Sequence, residues 1–357
     1  MTEDMKGGYM KQYSSKERVE AAFHREYADR IPFLSAMLYN KACAEMAGFT
    51  LEECYLDDEK ALTALIKLEE IFPSDLIWTP AGFLLPGVIE ARRKAKGVGP
   101  LRRRFEQKSA LATTPVPDPK KGKSFTAYLD MCRKVKSLFS DRWVFASAGG
   151  VWSTAVELRG AEQLIYDTRE DPDFVHDLMR FTTELAKAEG LALAETGVNI
   201  VLGDPSASCS LISPKIYREV VKPYQQEFFQ YMEEKVAKKV KVGLHMCGYI
   251  DPIMEDLASL PVDWLEMDSP SSLQRMLEIS QKRIVIRGNV PGPVLSRGIK
   301  QEIEEAVRNC LDIAARGRAY ILAPGCSLPE DAPLEAIKYF WEAAQKYGQY
   351  DHINIEV

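Results

Sequence analysis

Two residues of metal-binding type stand two positions apart in the motif His245-Met246-Cys247. The motif ends an apolar, strand-like run, and residues i and i+2 of a strand point to the same face. Cys326 ends a later run of the same kind. One histidine and two cysteines suit Zn²⁺, and three protein ligands leave a fourth position open, as in catalytic zinc sites. The alternative interpretation is an ordinary hydrogen-bonded histidine beside a buried thiol.

Other polar residues also stand where strand-like runs end, and the active site of a parallel barrel lies at that end. We predict that five residues bind the substrate: Trp152, Asp204, Ser206, Glu266 and Asn289. Trp152 follows Gly149 and Gly150 and is alternatively a core aromatic at a tight turn. Asp204 is alternatively a helix cap or a turn residue. Glu266 or Asp268 would carry a proton or occupy the open zinc position.

Eight short apolar runs are the elements that must position these residues. They are IPFLSAM, DLIWTP, WVFASAGG, NIVLGDPS, VKVGLHMCG, DWLEMDSP, RIVIRGNV and AYILAPGCS. Longer amphipathic patterns follow most of them, and strand–helix alternation predicts an α/β fold with a parallel sheet. Eight strands favour a closed (β/α)8 TIM barrel over an open doubly wound sheet, and no GxGxxG loop follows the first run.

Domain boundaries are predicted from the same pattern. We expect an N-terminal tail over residues 1–13 and a single TIM-barrel catalytic domain over residues 14–357. Within it, residues 92–123 form an irregular basic excursion, because their prolines and glycines break regular elements. Its lysine and arginine side chains are interpreted as a solvent-exposed surface of the protein. The alternative is a docking surface for an acidic partner.

Composition excludes several classes of protein. The chain has 357 residues, of which 46% are hydrophobic, enough for a large core. No run of about 18 apolar residues occurs, and the N-terminus lacks the apolar core of a signal peptide, so we predict a cytoplasmic protein without a membrane span. The net charge of −6 does not suggest a nucleic-acid partner.

The seven cysteines are odd in number and scattered, which does not indicate a disulfide framework. Two of them are the candidate metal ligands. The other five are interpreted as small, partly buried apolar residues: Cys43, Cys54, Cys132, Cys209 and Cys310.

Several segments carry a family resemblance. They are ADRIPF, GDPSASCSLISPKIYREVVKPY, GLHMCGYIDPIMEDL, IRGNVPG and YILAPGCSLPEDAPLEAIK. From about Ser14 to Tyr347 the chain resembles the uroporphyrinogen decarboxylase superfamily, and within it the cobalamin-dependent methyltransferases such as methylcobamide:coenzyme M methyltransferases. The metal motif of that branch, H-x-C followed by a distant Cys in an APGC context, matches His245, Cys247 and Cys326.

The resemblance implies a zinc enzyme that moves a methyl group between the cobalt of a corrinoid and a small substrate. That substrate would be a thiol such as coenzyme M, or a methyl ether such as a methoxylated aromatic in O-demethylation. The chain has no D-x-H-x-x-G corrinoid motif, so the corrinoid (cobalamin) would be supplied by a separate corrinoid-binding protein. The direction of transfer and the oligomeric state, a homodimer included, stay open.

The chain departs from the decarboxylases of the superfamily. Their arginine-rich segment, which grips the porphyrinogen carboxylates, would fall on PFLSAMLYNKACAEMAG, and no arginine occurs between Arg30 and Arg92. Porphyrinogen decarboxylation is therefore disfavoured. A decarboxylase or a zinc-free tetrapyrrole-binding protein on the same barrel remains the alternative function.

Overall fold

A single parallel sheet organises the part of the chain that the structure describes. The structure is a computed structural model, and it describes residues 13–34, 40–80, 104–236, 239–281, 283–314 and 318–350. Seven strands lie side by side in chain order. They are β1 (Leu76–Trp78), β2 (Trp143–Gly149), β3 (Asn199–Gly203), β4 (Val242–Met246), β5 (Trp264–Met267), β6 (Val285–Val290) and β7 (Tyr320–Pro324). The strands are almost wholly buried, which explains why their sequences are continuously apolar.

Residues 31–34 contact the edge strand β7 and the residue directly before the other edge strand, β1. The Leu322 N–H donates to the Pro32 carbonyl at 3.0 Å, and the Leu34 N–H donates to the Leu322 carbonyl at 2.9 Å. On the other side, the Asp75 N–H donates to the Phe33 carbonyl at 2.9 Å. The first predicted run, IPFLSAM, is therefore a short bridging segment over its described residues, and its last residues, 35–39, lie outside them. Pro32 has no N–H to donate, which limits regular pairing there.

A buried ion-pair network fixes this bridging segment. Both terminal nitrogens of Arg30 donate to the Asp75 carboxylate, and the Phe33 N–H donates to the same carboxylate at 3.0 Å. Arg18 contacts Asp75 at 3.2 Å and Asp29 at 2.7 Å through two nitrogens. Asp75 is fully buried, and these partners satisfy the oxygens of its carboxylate.

Helices precede β1 or lie between and after the strands. They are α1 (Ser15–His24), α2 (Lys41–Met46), α3 (Leu51–Leu56), α4 (Asp58–Ile71), α5 (Lys123–Leu138), α6 (Val151–Arg159), α7 (Ala161–Glu170), α8 (Pro172–Ala194), α9 (Pro214–Ile216), α10 (Lys222–Val236), α11 (Met254–Ala258), α12 (Leu273–Ser280), α13 (Gly292–Arg297), α14 (Lys300–Ala314) and α15 (Leu334–Tyr347). A π-helical segment, Tyr217–Val221, joins α9 to α10. Local sequence sets their starts: Ser14 and Glu17 form a capping box on α1, and Asp171 caps α8 ahead of Pro172.

The predicted basic excursion is described only from residue 104 onward. It contains two short 3₁₀ helices, Lys108–Thr113 and Pro119–Lys121. Lys108 pairs with Asp167 at 3.0 Å and with Asp171 at 2.8 Å, which ties the excursion to α7 and α8. At least this part of the basic stretch is paired within the chain. Residues 92–103, and with them any hairpin, lie outside the described residues.

The remaining cysteines behave mostly as the sequence predicts. Cys43, Cys54, Cys132 and Cys310 are buried, whereas Cys209 is half-buried. Burial raises the pKa of the Cys43 and Cys132 thiols to about 12, so both stay protonated. No described helix has both the length and the apolar character that crossing a membrane requires. The tail over residues 1–13 and the single domain over 14–357 stay predictions.

Candidate metal centre and cavity

Three candidate ligands meet at the carboxyl ends of β4 and β7. The Nε2 atom of His245 lies 2.8 Å from the Cys247 sulfur, and the two sulfurs of Cys247 and Cys326 are 3.0 Å apart. One ligand atom from each residue lies within 4.8 Å of the others. The sulfur separation exceeds the ~2.05 Å of a disulfide, and all three side chains are half-buried. The fold therefore brings one nitrogen and two thiols to a single point.

Strand register explains the position of His245. In the sheet, His245 is paired with Glu266 of β5, and Glu266 is paired with Arg287 of β6. The His245 Nδ1 atom lies 3.0 Å from a Glu266 carboxylate oxygen, and that oxygen also contacts the Arg287 guanidinium. A carboxylate behind a histidine ring fixes the orientation of the ring and leaves Nε2 free to bind a metal.

The charges of His245, Glu266 and Arg287, which lie side by side on three adjacent strands, influence one another strongly. Burial opposes the charge of Glu266, but Arg287 and His245 together lower its pKa to about 2. Burial also opposes a charge on His245, yet the adjacent Glu266 and Cys326 raise its pKa to about 10. Burial lowers the pKa of the fully enclosed Arg287. Glu266 is thus an anion that balances a buried cation.

The two cysteines share one proton unequally. A hydrogen bond from Cys247 lowers the pKa of Cys326 to about 5, against the effect of burial, and His245 acts in the same direction. The same bond, together with burial, raises the pKa of Cys247. One thiolate is therefore available at neutral pH, which is the form that binds zinc.

Asp268 organises the turns that carry the cysteines. Its carboxylate accepts hydrogen bonds from Gly248 N–H at 3.0 Å and from Ser269 N–H at 2.7 Å. Gly248 has a φ of +75°, which suits glycine. A Cβ atom on Gly325 would lie 2.8 Å from the same carboxylate, so the turn before Cys326 packs directly on Asp268. In this structure the Asp268 carboxylate therefore holds the backbone of the turns after β4 and β5.

A cavity of about 460 Å³ lies beside the ligands. Its apolar lining is Trp78, Phe145, Ala148, Val156, Val201 and Pro205, and its hydroxyl lining is Ser147, Ser153, Thr154, Ser206 and Ser327. The charged or metal-binding members are Glu157, His245, Cys247, Glu266, Arg287 and Cys326. A surface groove of about 810 Å³ along α13 and α14 is larger, but it is lined by ordinary surface side chains away from the three ligands. The smaller cavity is therefore the candidate site.

Two of the five predicted substrate-binding residues, Ser206 and Glu266, line this cavity. The other three do not belong to its described lining. Trp152 is fully buried in the core, as its alternative interpretation states. Asn289 donates through Nδ2 to the Ser271 carbonyl at 3.1 Å and faces the backbone of a neighbouring turn.

Asp204 does not belong to the described cavity lining, and its carboxylate has partners within the fold. Its buried carboxylate accepts hydrogen bonds from Trp152 N–H at 3.3 Å, Ser153 N–H at 2.7 Å and Gln225 Nε2 at 2.9 Å. Burial raises its pKa, while these donors favour the charged form. Asp204 therefore supports the first turn of α6 from a neighbouring loop, although it makes no side-chain cap bond to the short helix that follows it; its role in substrate binding stays a prediction.

Sequence reasoning missed two charged residues of the site. Arg287 directly follows the apolar residues Ile284, Val285 and Ile286 in a strand, and a charge at that position is the signal that could have revealed it. Glu157 occurs on an amphipathic helix, where an exposed carboxylate has no distinguishing local pattern. Only the tertiary position of α6, whose first turn donates to Asp204 after β3, shows that Glu157 lines the cavity.

Comparison with known proteins identifies the family. A family model described as uroporphyrinogen decarboxylase (URO-D) matches residues 14–347. The chain therefore belongs to the uroporphyrinogen decarboxylase family, as the sequence motifs predict. One solved structure, described as a methyltransferase from Methanosarcina mazei, superposes with a TM-score of 0.78 over 94% of this chain and 99% of that chain, at 20% identity. This likeness supports the fold.

Similar proteins include some that are named as methyltransferases and some that are named as decarboxylases. The methylcobamide:CoM methyltransferase MtbA of Methanosarcina acetivorans is 21% identical, over 95% of this chain and 99% of the relative. MtbA of Methanosarcina mazei is 24% identical over the same shares. A uroporphyrinogen decarboxylase of Nitratiruptor sp. is 27% identical over 58% of this chain and 61% of the relative. Only the methyltransferases among these three extend over nearly the whole chain.

Proposed function

We propose that this chain is a zinc-dependent methyltransferase. It would transfer a methyl group between the cobalt of a separate corrinoid protein and a small substrate, either a thiol such as coenzyme M or a methyl ether such as a methoxylated aromatic. The observation that carries the proposal is the convergence of His245, Cys247 and Cys326 within 4.8 Å at the wall of a cavity. The relatives named as methylcobamide:CoM methyltransferases support the class of reaction.

The residues fit a zinc ion. Nitrogen and sulfur donors in this ratio suit Zn²⁺, and three of them leave a position for substrate. The Glu266 carboxylate beside His245 Nδ1 supplies the outer contact that metal-binding histidines commonly have. Bound zinc would supply Lewis acidity, which keeps a substrate thiol deprotonated or polarises an ether oxygen.

The chain itself holds and orients the reactants. His245, Cys247 and Cys326 fix the reacting heteroatom at one end of the cavity, and the apolar walls exclude water from it. In the thiol direction, the substrate sulfur would form the new S–CH₃ bond with its own electron pair, and the corrinoid of the partner protein would keep the pair of the bond that it loses. In the ether direction, the O–CH₃ pair would stay on oxygen, the reduced corrinoid would supply the pair that takes the methyl group, and the released alkoxide or phenolate would take a proton from solvent.

The charge of the cavity disfavours porphyrinogen decarboxylation. A porphyrinogen carries several carboxylates, which need several cationic partners. In the described lining the only guanidinium is that of Arg287, and it already contacts Glu266. This agrees with the absence of arginine between Arg30 and Arg92 in the sequence.

We also propose that the seven-stranded sheet closes into a (β/α)8 barrel. Residues 31–34 make backbone hydrogen bonds to β7 and to Asp75, directly before β1, and these bonds support closure of the seven-stranded sheet. A cytoplasmic location and a homodimeric state stay predictions from the sequence.

Metal analysis tests the proposed function. We expect the purified protein to hold about one zinc ion per chain and Cys247→Ala to hold much less, because one of three ligands is lost. Cys209→Ala is the matched control, since Cys209 is a half-buried thiol outside the cluster, and it should keep the metal. Wild-type protein with far less than one zinc, unchanged by Cys247→Ala, would contradict the proposal.

A corrinoid assay tests the reaction. Zinc-loaded protein is mixed with a methylated corrinoid protein and a thiol, or with a cobalt(I) corrinoid protein and a methyl ether. We expect the absorption spectrum to change between the methylcobalt and cobalt(I) forms in one of these mixtures. If no thiol and no ether changes the spectrum, the methyltransferase function is wrong for this chain.

A further inference from the structure

A cavity of about 300 Å³, which we call the amino-end cavity, lies where the strands β2, β3 and β4 begin. Trp143, Asn199 and Lys241 line it at these strand starts, and α1 lines another side. The candidate metal ligands follow the carboxyl ends of β4 and β7, so the two cavities lie at opposite ends of the sheet. A ligand of the amino-end cavity would therefore be distinct from the methyl-transfer substrate.

Cationic side chains dominate the described lining of the amino-end cavity, in which Glu20 is the only carboxylate. The lysine and arginine residues are Lys16, Lys136, Arg142, Lys239 and Lys241. Some of them already have carboxylate partners. The pairs are Arg142–Glu69 at 3.3 Å, Arg142–Asp141 at 3.2 Å, Lys241–Asp263 at 2.7 Å and Lys16–Glu20 at 3.9 Å. Lys136 and Lys239 have no ion-pair partner among the described residues.

Lys136 is the cation of this lining that most needs a partner. Its side chain is half-buried on α5, and burial, followed by the charge of Lys16, lowers its pKa. A half-buried ammonium loses part of its hydration, and this one meets a like charge instead of an opposite one. The same cavity has an aromatic wall, in which Phe23 is stacked on Trp143 with 5.3 Å between ring centres. An anion bound beside Lys136 would supply the missing opposite charge, and the apolar wall would limit its screening by water.

From these observations we propose that the amino-end cavity binds a small polyanion of the phosphate type, such as pyrophosphate. The cations without a described partner are both lysines, and an ammonium group binds phosphate oxygens as a point charge. A planar carboxylate is better matched by a guanidinium fork. The guanidinium of Arg142 is already used by two carboxylates and by the Ser74 carbonyl, so phosphate is favoured over a carboxylate ligand.

Isothermal titration calorimetry of the zinc-loaded protein at neutral pH tests this site. The ligands are pyrophosphate, citrate and, at equal ionic strength, sodium chloride. We expect pyrophosphate to bind at one site per chain. Citrate carries its charges on carboxylates and should bind about tenfold more weakly, and chloride should show no saturable binding.

A charge variant tests whether Lys136 belongs to the site. Lys136→Gln should weaken pyrophosphate binding about tenfold or more, because the half-buried cation is lost. Lys134→Gln is the matched control, since Lys134 is an exposed lysine on the same helix that does not line the cavity. Cys247→Ala should bind pyrophosphate as wild type does, which separates this site from the candidate metal centre. Thermal unfolding of each variant checks that the fold is retained.

Three results would overturn the inference. If pyrophosphate does not bind, or if Lys136→Gln and Lys134→Gln bind it equally well, the lysines form only a solvent-exposed surface. If citrate binds as tightly as pyrophosphate, the phosphate class is wrong. If Cys247→Ala loses the binding, pyrophosphate is held at the candidate metal centre instead. The inference does not depend on methyl transfer, which the metal and corrinoid measurements test separately.

Discussion

At the scale of single residues, the site is a row of coupled charges. His245, Glu266 and Arg287 occupy paired positions on three adjacent strands, and each side chain touches the next. The local sequence around His245 and Cys247 already points to a metal. The role of Glu266 is not visible locally, because only the sheet brings Arg287 to the other side of its carboxylate.

Glu266→Gln should weaken both the fold and the metal site. The amide cannot balance the buried Arg287, and breaking a buried pair costs about 3–5 kcal/mol. The variant should also bind zinc some 10- to 100-fold more weakly, because His245 loses its charged outer contact. Urea unfolding measures the first effect, and competition with a chelator measures the second.

Glu305→Gln is a suitable control for both measurements. Glu305 is an exposed carboxylate on α14, so its loss should change stability by less than about 0.5 kcal/mol. Equal unfolding free energies for wild type and Glu266→Gln would show that the row of charges does not stabilise the fold.

At the scale of elements, the strand ends are fixed by contacts between neighbouring loops. Asp204 follows β3 but caps α6, which follows β2. Gly150 permits this approach, since a Cβ atom there would lie 2.3 Å from the Gly203 carbonyl oxygen. The first turn of α6 is therefore attached to β3, and Glu157 is carried to the cavity by the same helix.

Asp204→Ala should destabilise the protein without removing the metal. Three buried donors lose their acceptor, and a lost cap together with unsatisfied donors costs about 2 kcal/mol or more. Chemical denaturation gives the stability, and zinc content should stay near that of wild type. Ser213→Ala, which removes an exposed cap at α9, should cost only about 1 kcal/mol or less. A large loss of zinc in Asp204→Ala would place Asp204 in the metal site instead.

At the scale of the whole molecule, the N-terminal segment ties the two edges of the sheet together. Backbone hydrogen bonds of residues 31–34 reach β7 and the residue before β1, and Asp75 binds Arg30 and Arg18. These contacts join residues near positions 30, 75 and 322 of the chain. Losing them should therefore lower the unfolding free energy of the whole sheet.

The Arg18–Asp29 pair makes part of this stability depend on pH. Burial opposes the charge of Asp29, but Arg18 and then Arg30 lower its pKa below the usual value of 3.8. A carboxyl whose pKa is lowered on folding stabilises the fold above its unfolded pKa, and this contribution is lost as pH falls through the folded pKa. Wild type should therefore exceed Asp29→Asn in unfolding free energy at pH 7, and the gap should close below about pH 4. A gap independent of pH would show that the charge of Asp29 contributes nothing.

Some of this protein could be predicted from its sequence because the signals are local. Continuous apolar runs identify the seven strands, and the i, i+2 spacing of His245 and Cys247 places two candidate ligands on one face. The APGC context predicts Cys326 as a third ligand, which stays a prediction. The family motifs predict the family, and the family match over residues 14–347 confirms it.

Tertiary structure alone decided which polar residues face the cavity. Asp204, Asn289 and Trp152 stand at strand ends like Ser206, yet their side chains are used by backbone amides, a carbonyl and the core. Glu157 enters the site from a position without a local signal, and the only local signal for Arg287 is its charge among apolar strand residues. The physical reason is that a strand end fixes where a side chain begins, whereas the packing of neighbouring loops and helices fixes the group that it meets.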